Sequence, residues 1–230
     1  MKKSKAMKKL SEEKKPRKVV EGSVRSKERT KQKLIDAVGE VLKEKGYSAL
    51  TINNIAQKAK VDRRLISLYF GSLDNLLEEY LNSRDYWMTK VAPMMAGIVE
   101  QSGEFGVKEL IDALNVLYDS LGSSAELQKM LVWQVSEDHP KLRELAERRD
   151  KLSAPFFEPA DKKFEGSGIN LRAIVALQIA GIYFISLHAK MNKAPFCEIQ
   201  VETEDGKAQI KQALETIMSL VYEKARKEGM

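Results

Sequence analysis

The sequence predicts an all-α fold, with a three-helix unit near the N-terminus followed by a larger helical domain, and three observations carry the prediction. Only six prolines and 13 glycines occur in 230 residues, and aromatic residues make up 7%, a composition that favours helices over a sandwich or a barrel. Apolar residues recur at steps of three and four along most of the chain, the period of a helix with one buried face. Two of these amphipathic stretches are short and lie too close in sequence to pack as an antiparallel pair. At 43% hydrophobic residues, the chain as a whole is one that buries a core and is not a disordered polymer.

From Thr30 onward, Leu34, Ile35, Val38, Val41 and Leu42 form an apolar stripe that predicts a helix ended by Gly46. Glycine suits the C-terminal cap, and Lys43 and Lys45 suit the negative end of the helix dipole. Residues 1–26 lack any such period and are expected to form a flexible basic arm.

Thr51 can cap a helix starting at Ile52, in which Ile55, Ala56 and Ala59 face inward. A second begins after Asp62, another capping residue, with Leu65, Ile66 and Tyr69 at helical spacing. With about three residues between them, the two helices must cross steeply, the helix-turn-helix arrangement, here over residues 51–70. Ala56 is small enough to sit at the crossing. The turn favours glycine in a left-handed conformation, and Lys60 stands there instead, at a cost of about 1 kcal/mol if it adopts positive φ.

Ser72 opens a further helix through Leu73, Leu76, Leu77, Tyr80 and Leu81, expected to reach Trp87 or Lys90 before Pro93 interrupts it. Residues 106–121 and 124–135 read as helices. Pro140, with His139 at the helix start, opens a charged helix whose polar side is expected to face water. Between Arg172 and Lys190 lie 17 consecutive uncharged residues. That run falls short of the roughly 20 of a membrane span and includes Gln178, Ser186 and His188, so a helix buried on most sides is favoured over a membrane helix. The last helix, about 207–226, carries Ile210, Ala213, Leu214, Ile217, Met218 and Val221 on one face. The expected organisation is therefore a basic arm at 1–26, a helix-turn-helix domain at 27–83 and a helical domain at 84–230.

Charge is unevenly placed. Residues 1–29 hold 12 Lys/Arg against four Glu, residues 30–83 hold eight basic against seven acidic, and residues 84–230 hold 19 basic against 22 acidic. The net charge of +6 thus belongs to one end, pointing to a polyanion there and another task for the rest. The single Cys197 makes no internal disulfide and supports no cysteine-ligated zinc site, which fits a reducing compartment. The basic N-terminus lacks the apolar stretch of a signal peptide. No glycine-rich phosphate loop, nucleophile elbow, HExxH or Cys/His pair is present, so an enzyme is not expected. Neither His139 nor His188 has ligand-spaced neighbours, and no metal or cofactor is implied.

Residues 30–81 resemble the N-terminal DNA-binding domain of TetR-family transcriptional regulators: a first helix ending in EKGYSALT, then INNIAQKAKVDRRLISLYF, then GSLDNLL opening a fourth helix. The chain departs from the family pattern at Ser67, where an aromatic residue is usual, at Lys60, and at Leu73 in place of a lysine. The resemblance implies a cytoplasmic homodimer paired through the last two long helices, about 169–190 and 207–226. It further implies binding to double-stranded DNA, and a repressor released from an inverted-repeat operator by a small-molecule ligand. Two alternatives stay open: an activator or chromosome-organising factor of the same fold without a ligand, or an adaptor that uses the basic arm on a membrane or protein.

Within the motif, the helix opened by Arg63 and Arg64 is the one expected to enter the major groove, where either arginine can bond guanine O6 and N7. Leu65 is expected to touch a thymine methyl, Ser67 a base or phosphate, and Tyr69 a phosphate. Thr51 and Asn53 open the preceding helix, whose N-terminus attracts phosphate, and Lys60 adds charge in the turn. For the ligand, the aromatic, Met and His residues of the helical domain are the candidates: Tyr86, Trp87, Met94, Met95, Phe105, Tyr118, Trp133, Tyr183 and His188. Each also suits an ordinary core position.

Overall fold

The computed structural model describes residues 21–102 and 106–228, with side chains left undescribed at 21–24, 88 and 98–102. Ten α-helices follow one another among the described residues: α1 Glu21–Lys45, α2 Ile52–Ala59, α3 Arg64–Phe70, α4 Leu73–Arg84, α5 Ala92–Ser102, α6 Val107–Ser123, α7 Ala125–Ser136, α8 Pro140–Phe164, α9 Leu171–Asn192 and α10 Glu204–Glu228. A 3-10 turn spans Tyr47–Ala49 and a π-helical turn spans Trp87–Val91. Among the described residues the only β-type pairing is an isolated bridge between Phe196 and Ile199.

The stripe on α1 packs as expected: Leu34, Val38, Val41 and Leu42 are buried with Ile55 and Ala56 of α2, Ile66 and Phe70 of α3, and Leu76, Leu77, Tyr80 and Leu81 of α4. The same cluster takes in Met130 and Trp133 of α7 and Leu142 and Leu145 of α8. Apolar packing therefore continues across the sequence boundary at residue 83. A second cluster is built from α6, α9 and α10, with Leu110, Leu114, Leu117, Val175, Ile182, Leu214 and Met218 buried together.

Several boundaries differ from the sequence reading. α1 is already helical at Glu21, the first described residue, well before Thr30, because Glu, Arg and Lys are good helix formers and a helix already nucleated by its packed half extends without further apolar contacts. The remainder of the expected arm, residues 1–20, lies outside the described residues. α4 stops at Arg84, where Asp85 takes an extended conformation (φ −61°, ψ 119°). Pro93 does not end the helix: it falls in the first turn of α5, directly after the π-helical turn Trp87–Val91, and the chain stays helical through it. Pro155 and Pro159 lie inside α8.

The caps hold where capping residues are read. Gly46 adopts φ 78° and its amide donates to the Leu42 carbonyl at 3.0 Å. Ser72 Oγ accepts from the Asn75 amide at 3.1 Å, and His139 Nδ1 accepts from the Lys141 amide at 3.2 Å.

Candidate nucleic-acid interface and cavity

The turn between α2 and α3 closes without glycine. Lys60 takes a left-handed conformation (φ 55°, ψ 46°), its amide donates to Gln57 O at 3.2 Å, and the Val61 amide donates to Ala56 O at 3.1 Å. These two bonds form a Schellman motif, which satisfies the orphan carbonyls at the end of α2 while Val61 packs onto the core. The departure from the family pattern at this position therefore changes the local cost and leaves the geometry intact.

At the other end of α2, Thr51 Oγ1 accepts from the Asn54 amide at 3.3 Å, while Asn53 stays exposed. Arg63 donates to Asn53 Oδ1 at 3.4 Å, so the starts of the two helices meet. Asp62 caps α3 by accepting from the Arg64 amide at 2.8 Å, and it also binds the Arg64 guanidinium at 2.6 Å. The hydrogen bonds from the Arg64 side chain, and next from its amide, hold the Asp62 carboxyl down at about 2. Thr51, Asn53, Lys60, Arg63, Arg64 and Ser67 are all exposed.

Leu65 differs from the expectation. It is half-buried against the first core, and Leu68, 71% exposed, is the apolar side chain turned outward. With Ile66 and Phe70 fixed inward, the helical period carries Arg64, Ser67 and Leu68 onto the opposite face. The spacing Arg64–Leu68, one turn apart, is the sequence signal for this residue. Tyr69 is half-buried, with Lys27 Nζ 5.7 Å from its ring centroid.

The helical domain holds a cavity of about 450 Å³ whose wall includes Trp87, Met95, Leu114, Arg149, Phe157, Arg172 and Tyr183. Of the sequence candidates, Trp87, Met95 and Tyr183 line it. Tyr86 joins Trp87 and Tyr183 around a smaller space of about 40 Å³ alongside. Tyr118 is buried at a separate cavity of about 260 Å³, and burial with Asp119 nearby pushes its phenol up to about 12. Met94 is half-buried in the second core. His188 packs against Phe184 and Phe196, with centroids 5.8 and 5.2 Å away. Trp133 is displaced from the expected chamber: it is buried in the first core, edge-on to His139 at 5.6 Å, because α7 lies against α1 with that face inward. Phe105 lies outside the described residues.

The charged face of α8 does not all point to water. Arg149 turns inward, donating through Nε to Asp85 Oδ2 at 2.8 Å and through Nη1 to Gln134 Oε1 at 3.0 Å, with Nη2 also bonded to Asp85. Asp85 is fully buried. Sequence periodicity gives no sign of this pair, since a helix rich in charges reads as solvated until its neighbours are known. Among the described residues no group of three His, Cys, Asp or Glu side chains gathers at metal-binding distance.

Residues 34–80 match the family model of bacterial regulatory proteins of the tetR family. The HTH-type transcriptional regulator BetI of Burkholderia thailandensis is 29% identical over 116 residues, 49% of this chain and 57% of that protein; the chain thus spans a little over half of this curated relative. A TetR family transcription regulator from Marinobacter aquaeolei VT8 superposes with a TM-score of 0.60 at 13% identity, covering 87% of this chain and 97% of that one. The transcriptional regulator FadR from Bacillus subtilis, solved in complex with stearoyl-CoA, gives a TM-score of 0.55 at 17% identity over 80% of this chain and 97% of that one. At such identities the two structures speak for the fold, and the matched motif speaks for the DNA-binding domain. Residues 34–80 thus carry the DNA-binding motif of the bacterial tetR-family regulatory proteins, on a chain whose helical fold is similar to that of solved regulators of that family.

Proposed function

We propose that the protein is a dimeric repressor that reads an inverted-repeat operator with α3 and leaves it when a small molecule occupies the helical-domain cavity. The observation that carries the reading is the outward face of α3, where Arg64, Ser67 and Leu68 stand exposed beside the capped start of α2. A helix of this kind fits the major groove with its first residues at base edges, while the helix before it lies on the backbone. Arg63 and Arg64 supply donors for guanine, Thr51 and Asn53 bond phosphate, and Lys60 and Tyr69 flank them.

Dimerisation is supported by the exposed apolar face of the last two helices. Leu177, Phe184 and Met191 on α9 and Ile217 and Leu220 on α10 account for five of the nine large hydrophobic residues left exposed among the described residues. α9 is also long and apolar enough to cross a membrane by length and composition alone. Its buried Gln178, which donates to the Leu214 carbonyl of α10 at 3.3 Å, supports packing between helices over contact with lipid. A two-fold dimer sets the two copies of α3 about 34 to 36 Å apart, one turn of B-DNA, or a multiple of it.

Release by ligand is supported by the cavity and by its place against the π-helical turn Trp87–Val91, which follows α4. A ligand that lowers operator affinity must itself be bound less tightly by the DNA complex. FadR of Bacillus subtilis, similar in fold, holds stearoyl-CoA in its crystal structure, which supports a small-molecule site here. The test is selection of bound fragments from genomic DNA followed by anisotropy titrations. Two-fold symmetric sites, weakened by Arg63→Ala and Arg64→Ala, are expected; asymmetric sites or unchanged affinity in both variants would overturn the reading.

A further inference from the structure

The first turns of α1 carry a strong, unbalanced charge. Residues 25–33 read RSKERTKQK, five Lys/Arg against one Glu with no apolar side chain, and they are helical throughout. Arg25, Lys27, Arg29 and Lys33 are exposed, and no carboxylate pairs with any of them among the described residues. Arg25, Arg29 and Lys33 follow one another at i, i+4 spacing, where like charges repel and weaken a helix. Nothing in the described chain neutralises this face.

The stretch also adjoins α3. Lys27 and Lys31 prolong, at helical steps, the line of Leu34 and Val38 beyond the edge of the first core. Lys31 Nζ is held there, 5.4 Å from the Phe70 ring centroid and 3.9 Å from Glu79 Oε1. One turn further out, Lys27 Nζ lies 5.7 Å from the ring centroid of Tyr69, the residue of α3 set against phosphate in the proposal above. The helix holds these cations beside α3 before any partner arrives, which spares the ordering cost that a flexible arm would incur.

We infer that residues 25–33 of α1 form a second DNA-contacting surface, in which Lys27, with Arg25 and Arg29, lies on phosphates flanking the base pairs read by α3. This inference rests on the operator-reading proposal above and extends its footprint. Cations placed in this way supply affinity and fix the position of the protein on the duplex without reading sequence. Charge complementarity and continuity with α3 favour DNA. A lipid surface is disfavoured, because a stretch without apolar side chains has nothing to insert.

The experiment compares the full chain with a triple variant, Arg25→Gln with Lys27→Gln and Arg29→Gln, in which glutamine keeps the helix propensity and circular dichroism checks the fold. Anisotropy over a salt series uses three labelled duplexes: the selected two-fold site with its flanks, the same site trimmed of them, and a mixed sequence. On the flanked site the triple variant is expected to bind about tenfold more weakly and to lower the slope of log affinity against log salt by about 1.8 or more, or about 0.9 per phosphate freed in each of two protomers. Its preference for the site over the mixed sequence is expected to be kept, and trimming the flanks is expected to weaken the parent alone. An unchanged slope overturns the inference and leaves the reading by α3 in place. Loss of the preference moves the cations to base edges and overturns the phosphate assignment. Tighter binding of the parent to phosphatidylglycerol vesicles than to the mixed duplex, lost in the triple variant, assigns the cations to a membrane and overturns it too. A parent that binds no duplex overturns the operator-reading proposal itself, and this inference with it.

Discussion

Arg149 closes on Asp85 across 64 residues of sequence, Nε to Oδ2 at 2.8 Å, and in doing so fixes α8 to the residue that ends α4. Asp85 is held through its backbone too: its amide donates to Leu81 O at 2.8 Å, and its carbonyl accepts from the Thr89 amide and hydroxyl at 2.9 and 2.7 Å. The joint between α4 and the π-helical turn thus has one buried carboxylate at its centre. Asp85→Asn or Arg149→Met alone is expected to cost about 3–5 kcal/mol, because each strands a buried partner. The double replacement Asp85→Leu with Arg149→Met should recover most of the loss. Urea unfolding of the three variants checks this, and single variants within about 1 kcal/mol of the parent would refute it.

Lys60 combines backbone strain with surface charge. Lys60→Gly relieves the left-handed lysine and should stabilise the fold by about 1 kcal/mol, raising the thermal midpoint. The same change removes a cation beside α3 and should lower affinity for DNA. The two readouts therefore move in opposite directions, and a variant that falls in both would contradict the Schellman geometry.

Leu68 and Arg64 share a face of α3 but should fail differently. Leu68→Ala is expected to weaken the preferred operator about tenfold, equivalent to about 1.4 kcal/mol, with no effect on the salt dependence. Arg64→Ala removes a donor to guanine and is expected to weaken the preferred operator by about 1 to 3 kcal/mol and to relax the preference at that base pair. Anisotropy on operators changed at single base pairs separates the two.

Leu177 is 74% exposed in a single chain. Leu177→Glu places a charge on the exposed apolar face of α9, and sedimentation should show a monomer with unchanged helix content by circular dichroism. A persistent dimer would move the interface elsewhere.

Asp62 gives the pH prediction. Its carboxyl lies below the ordinary value of 3.8, at about 2, first through the side-chain hydrogen bond from Arg64 and next through the Arg64 amide. A lowered folded value means that its support for α3 is fully present above pH 3.8 and is lost as pH falls through about 2. A carboxyl carbon titration by NMR should find the midpoint near the lower value, and Arg64→Ala should move it upward.

The first half of the fold is legible in the sequence because its signals are local. Leu34 to Leu42 repeat at helical steps, Thr51 and Ser72 cap the helices they precede, and Ala56 fits a crossing that spacing alone requires. The end of α4 is not legible, because Asp85 is held there by a long-range bond to Arg149 that no periodicity records. Within the motif itself, Leu65 and Leu68 become legible only once Ile66 and Phe70 are fixed inward, for the helical period then turns Leu68 outward with Arg64 and leaves Leu65 against the core. Trp133 escapes prediction for a similar reason, since an aromatic residue in the second domain's sequence packs into the first domain's core.

That last packing bears on how chains with this motif can diversify. Met130, Trp133, Leu142 and Leu145 supply part of the hydrophobic floor on which α1 and α4 rest, so the helix-turn-helix unit is not a detachable head. A chimera joined at residue 83 would inherit a foreign floor, and its recognition helix would be set by a mismatched surface however faithful the operator-contacting residues. If α3 reads the operator as proposed, exchange of specificity is expected to be easier by substitution on its outer face than by recombination of whole domains.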